Sequence, residues 1–112
     1  MAKFMVLYKA AVSARERLAN ATPEEVQEGM KLWMDWAQKC GDAIVGLGSP
    51  LSGGKTIGSG SVMDVDSEIG GFSILEAESM DGAVKLLEDH PHLLTPGGAS
   101  IEVLQFLSMP GT

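Results

Sequence analysis

Lys3-Phe4-Met5-Val6-Leu7-Tyr8-Lys9 decides the fold. Side chains alternate across a β-strand, so Phe4, Val6 and Tyr8 share one face and Met5 and Leu7 the other. Both faces are apolar. Ile69–Ala77 repeats the pattern, with Phe72 and Ile74 opposite Leu75 and Ala77, and so does Ile101–Leu107, with Ile101, Val103 and Leu107 opposite Leu104 and Phe106. A sheet of such strands needs cover on both sides. Helices from the same chain can cover one face. In 112 residues little is left to build a second layer, so a second copy of the chain is the expected cover and a homodimer through the sheet face the expected assembly.

The helical sequence fits that plan. Thr22-Pro23-Glu24-Glu25 is a strong helix start: Thr22 as cap, Pro23 at the first helical position, Glu25 completing a capping box. The predicted helix runs to Cys40 and ends at Gly41. Val26, Met30, Trp33, Ala37 and Cys40 form its apolar stripe, and Leu32 and Trp36 widen one flank. A second helix is expected from a Ser79 cap to about Asp89, facing inward with Met80, Ala83, Val84 and Leu87 and stopped by Pro91. Ala43–Leu47 reads as a strand. Residues 10–21 read as a loop or short helical turn, and the Gly/Ser-rich stretch from Gly48 to Ser61 as a mobile loop. Val62–Val65 suits a short strand or hairpin. Gly70-Gly71 suits a bulge, Pro96-Gly97-Gly98 a turn, and Pro110-Gly111-Thr112 a short tail. The order strand, helix, strand, strand, helix, strand predicts an α+β domain over residues 1–112. It is the ferredoxin-like βαββαβ arrangement, a four-stranded antiparallel sheet with both helices on one face.

Composition narrows the partners. A 45% apolar content with mixed charge is that of a folded domain, and the formal charge of −7 disfavours nucleic acid and anionic membrane. No apolar run approaches the length of a bilayer span, no signal-peptide pattern opens the chain, and the single cysteine, Cys40, fits a reducing cytoplasm.

Read together, the opening Lys3–Tyr8, the helix around Trp33-Met34-Asp35-Trp36, Gly71-Phe72-Ser73-Ile74-Leu75-Glu76-Ala77, Met80-Asp81-Gly82-Ala83, Asp89-His90-Pro91-His92-Leu93 and Gly97–Val103 resemble the YCII-related (DGPF) domain family of the dimeric α+β barrel superfamily. The resemblance covers nearly the whole chain. It implies two four-stranded sheets packed face to face in a homodimer, a cleft on the helix side of each sheet, and acid–base chemistry on small, often aromatic molecules in some members. The chain departs from the pattern twice. The Asp-Gly-Pro-Phe signature is absent, and residues 10–22 contain no histidine to form the histidine–aspartate pair of other members.

The candidate site residues are few. His90 and His92 flank Pro91 and are the only histidines, the natural groups for proton transfer near neutral pH. Pro91 is expected to keep the segment extended and the rings apart. His90 would equally suit a solvated helix end, and His92 a structural hydrogen bond. The family segment singles out His92, with Glu102 to orient it; Glu102 interrupts an apolar strand and would otherwise be an exposed strand end. Tyr8 and Trp36, the latter with Leu32, are expected to wall a pocket, His90 and Asp64 to contribute to it, and Trp33 to belong to the core. Asp64 and Asp66 would otherwise be plain turn residues. No metal set is legible, because His90 and His92 lack a closed group of Cys/His partners. Gly53-Gly54-Lys55-Thr56 fails as a phosphate loop, since position 49 is Ser. The expected function is binding of a small hydrophobic or aromatic molecule, without cofactor, in a cleft between helices and sheet. The alternative is a cofactor-independent enzyme with His92 as general acid or base, of lyase, isomerase or dehydrochlorinase type, with the Gly48–Ser61 loop as lid.

Overall fold

A computed structural model describes residues 1–11, 14–95 and 98–108. Pro96 and Gly97 of the expected turn, and the Pro110–Thr112 tail, lie outside the described residues. The chain folds as β1 (Ala2–Lys9), α1 (Ala14–Asn20), α2 (Pro23–Cys40), β2 (Ile44–Pro50), β3 (Gly54–Gly58), β4 (Ser61–Val65), β5 (Ile69–Ala77), α3 (Met80–Leu87) and β6 (Ser100–Gln105), with short 3-10 turns at Gly41–Ala43 and Pro91–Leu94. The main sheet has the order β2-β5-β1-β6, and every neighbouring pair is antiparallel. This is the ferredoxin-like architecture, with α2 and α3 layered on one face.

Local chemistry accounts for the elements. The Thr22 hydroxyl accepts from Glu25 N–H at 3.2 Å, and Glu25 Oε1 accepts from Thr22 N–H at 3.4 Å. This reciprocal box satisfies two donors that the start of α2 would otherwise leave bare. Ser79 caps α3 through Gly82 N–H at 3.1 Å. In the β1–β5 ladder Tyr8 faces Gly71 but Lys9 faces Ile69, which makes Gly70 the bulge residue.

The core lies between the sheet and α2/α3. Phe4, Val6, Tyr8, Leu75, Ala77, Ala83, Leu87 and Trp36 are buried there, with Ile101 and Val103 packed against them. Within α2 the buried stripe differs from the predicted one: Met30 is 63% exposed, whereas Trp36 is buried. On α3, Met80 and Val84 are exposed, and Leu86 packs against the core instead. The N-terminal half of α2 therefore overhangs the sheet rather than lying on it.

The Gly48–Ser61 stretch is not a loop. It contains the end of β2 and all of β3, and β3 pairs with β4 from Gly54↔Val65 to Gly58↔Ser61 as a separate two-stranded sheet. Gly60, at φ 81°, closes the connection. All ten hairpin residues are exposed, Ile57, Val62 and Met63 among them.

The opposite face of the main sheet carries Met5, Leu7, Phe72, Ile74 and Leu104, brought together by Met5↔Ile74, Met5↔Leu104 and Leu7↔Phe72. No element of the described chain forms a layer there. Lys3 opposite Glu76 and the Lys9–Glu102 ion pair flank this apolar centre.

Gly48 holds β2 against β5 at φ 84°, where an added Cβ would lie 1.6 Å from the Phe72 carbonyl oxygen. Gly48→Ala should lower unfolding stability by about 2 kcal/mol or more in urea denaturation. Gly60→Ala, with positive φ but open space around it, should cost about 1 kcal/mol.

Candidate functional site

Three aromatic side chains from β1 and α2 close around His90. Its ring lies 4.8 Å from Tyr8, 4.4 Å from Trp33 and 4.3 Å from Trp36, centroid to centroid, with both tryptophans edge-to-face. His90 is 1% exposed. Its Nδ1 accepts the His92 backbone N–H at 2.9 Å, so the proton of the neutral ring sits on Nε2. Nε2 has no hydrogen-bond acceptor among the described residues. Burial among these rings, reinforced by repulsion from His92, pushes the His90 pKa down to about 4 from the ordinary 6.5. His90 is thus not a solvated helix end. It is a neutral wedge that holds the turn Pro91–Leu94, in which Pro91 takes the first position of a 3-10 helix. The expected extended segment is replaced by a tight turn because the His90 ring caps it.

That turn delivers His92, 4% exposed, to Tyr8, with ring centroids 5.4 Å apart. His92 Nε2 lies 2.9 Å from the Lys9 carbonyl oxygen. A carbonyl can only accept, so Nε2–H donates and Nδ1 is the basic nitrogen. Burial lowers the His92 pKa, and Arg17 lowers it further, against the opposing pull of the Lys9 and Ser100 carbonyls. Both histidines are therefore neutral at pH 7.

A cleft of about 500 Å³ opens beside this cluster, between the overhanging half of α2, the end of β2 and the turn. Tyr8, Trp33, Met30, Leu47, Pro91 and His92 line it, as do Arg17 of α1 and Glu25 of α2. The Tyr8 hydroxyl donates to Ser73 Oγ at 2.8 Å, and Ser73 donates onward to the Leu47 carbonyl at 2.7 Å. Burial pushes Tyr8 up to about 12, so the phenol stays protonated and its ring is pinned as a wall.

The expected site residues separate into two groups. Tyr8 and His92 meet at the cleft, and His90 stands directly behind them. Trp36 does not line the cleft. Its indole N–H donates to the Leu86 carbonyl at 2.8 Å and ties α2 to α3 in the core. Trp33, read from the sequence as core, takes the wall position and packs edge-on against Tyr8 at 4.7 Å. Glu102 does not orient His92. It stands on the opposite sheet face, 3.5 Å from Lys9 Nζ, while the Lys9 backbone carbonyl holds the imidazole. Asp64 lies on the hairpin, paired with Lys55 at 2.6 Å and apart from the cleft. Arg17 was not anticipated, because the sequence around it gave no sign that α1 would turn back toward the cleft.

Among the described residues no group of His, Cys, Asp and Glu could hold a metal ion, and no helix is long and apolar enough to cross a membrane. No family model matches the sequence, and no curated protein matches it. Among solved structures the chain is similar to 5-chloro-2-hydroxyhydroquinone dehydrochlorinase from Burkholderia phenoliruptrix AC1100, solved with 2,5-dihydroxybenzoquinone. The identity is 21%, the match covers 91% of each chain, and the TM-score is 0.45.

The unfolded chain protonates His90 near pH 6.5 and the folded chain only near 4, so the unfolded state binds the extra proton between these values. Stability is full above pH 6.5 and is lost as pH falls toward 4, by about 3 kcal/mol from this residue. Urea denaturation at pH 7.5 and pH 4.5 should show this loss in the wild type and a smaller one in His90→Gln.

Proposed function

We propose that the chain binds a small hydrophobic or aromatic molecule in the cleft walled by Tyr8, Trp33 and His92, as a homodimer joined through the open sheet face. The cleft geometry carries the reading. An apolar, partly aromatic concavity of about 500 Å³ with a few fixed polar groups is the usual form of a small-molecule site. The resemblance of the sequence to YCII-related domains points the same way.

Surface area supports the dimer. The chain exposes 7787 Å², whereas a compact monomer of 11.8 kDa exposes about 5,900 Å². The excess is roughly 1,900 Å², which includes the exposed β3–β4 hairpin as well as the open sheet face. The radius of gyration of 15.5 Å also exceeds the ~13 Å of a compact domain of this length. One principal dimension is only 19 Å, the thickness of a single sheet and a single helix layer.

A second reading is a cofactor-independent enzyme in which His92 Nδ1 takes and returns a proton in a lyase or isomerase reaction. One observation favours it: burial and Arg17 keep His92 neutral, the form a general base requires.

Phenol and hydroquinone at millimolar concentration should raise the wild-type melting temperature by mass action, and Trp33→Ala should reduce that shift by more than half. Absence of any shift in the wild type would contradict the binding reading. Turnover of a phenolic or quinone substrate that His92→Ala abolishes, with binding retained, would establish the enzyme. In sedimentation equilibrium the wild type should weigh twice the 11.8 kDa chain, and Leu7→Lys, which places a charge in the apolar centre, should weigh once.

A further inference from the structure

Among the described residues, one cation that lines the cleft, Arg17, has no hydrogen-bond or ion-pair partner. Arg17 lines the wall near His92, and its Nε is shielded from solvent without a hydrogen-bond acceptor among the described residues. The ion pairs among the described residues engage Lys9, Lys39 and Lys55, and none engages Arg17. Glu25 is the carboxylate among the lining residues, and one of its oxygens caps the Thr22 N–H. Arginine stays charged at any working pH. Holding that charge beside an apolar wall without a partner is unfavourable. The chain has 15 acidic side chains and eight basic ones, so the missing partner does not reflect a shortage of carboxylates.

We propose that this cleft takes an aromatic carboxylate, its ring against Trp33 and Tyr8 and its carboxylate on the Arg17 guanidinium. The assignment rests on the cleft reading above and adds the class of ligand. A guanidinium offers a planar fork of donors that matches both oxygens of a carboxylate. A neutral aromatic would fill the same wall and leave the Arg17 donors unmet. His92, neutral and with Nε2 committed to the Lys9 carbonyl, adds no charge that would compete for the anion.

Isothermal titration with benzoate and with benzyl alcohol, a neutral probe of similar size, separates the two claims. The proteins are wild type, Arg17→Gln and Arg17→Lys, each checked for native circular dichroism. Benzoate should bind the wild type at least about tenfold more tightly than benzyl alcohol, a difference of about 1.4 kcal/mol. Arg17→Gln should erase that advantage, so that both probes bind with similar affinity, and Arg17→Lys should keep part of it. Binding of benzyl alcohol with no Arg17-dependent gain for benzoate would overturn the carboxylate assignment and leave the cleft reading standing. Failure of both probes to bind at millimolar concentration would overturn both.

Discussion

The burial of His90 among Tyr8, Trp33 and Trp36 is the contact on which the arrangement depends. A neutral imidazole there joins β1, α2 and the segment after α3 in one packed cluster. Its Nδ1 fixes the next turn by accepting the His92 N–H. That turn brings His92 to the Lys9 carbonyl and leaves Tyr8 in contact with two imidazoles. The cleft exists because α2 is anchored at its C-terminal half, through Trp36 and the Leu86 carbonyl, while its N-terminal half stands clear of the sheet. Anchoring at one end and overhang at the other produce a concavity with one rigid floor.

The same economy explains the two faces of the sheet. One helix layer is all that the described chain supplies, and it covers Phe4, Val6 and Leu75 completely. Met5, Leu7, Phe72, Ile74 and Leu104 remain on the other side, bounded by charged pairs at both ends. An apolar centre with a charged rim is the usual composition of a protein interface. In the proposed dimer this face is closed by its counterpart, and the clefts stay on the outer, helical sides.

Much of this was legible in the sequence, and the failures have physical causes. Period-two alternation in β1 and β5 reports faces directly, and the Thr22–Glu25 box marks a helix start by chemistry local to four residues. Gly70 as a bulge was readable for the same reason. Trp33 and Trp36 exchanged roles because periodicity places both near one stripe; which lies deeper depends on the Leu86 carbonyl, 50 residues away. His90 read as a helix end because its aromatic neighbours come from β1 and α2, distant in sequence. The β4 half of the hairpin is legible, Val62–Val65 reading as a short strand or hairpin, but its partner β3 is not: Gly and Ser between Gly53 and Ser61 signal a loop, and pairing with Ser61–Val65 is a non-local property. Glu102 fell on the face opposite His92, which the alternation of β6 could have shown: its neighbours Ile101 and Val103 face the helices.

The direct test of the account is the protonation state of His90, observed by ¹⁵N NMR of the imidazole nitrogens across pH. The spectra should show a single neutral ring with the proton on Nε2, unchanged from pH 8 down to pH 5.5, with titration only near pH 4. A His90 ring that titrates near 6.5, or that carries its proton on Nδ1, would contradict it, because the turn presenting His92 would then lack the acceptor that holds it.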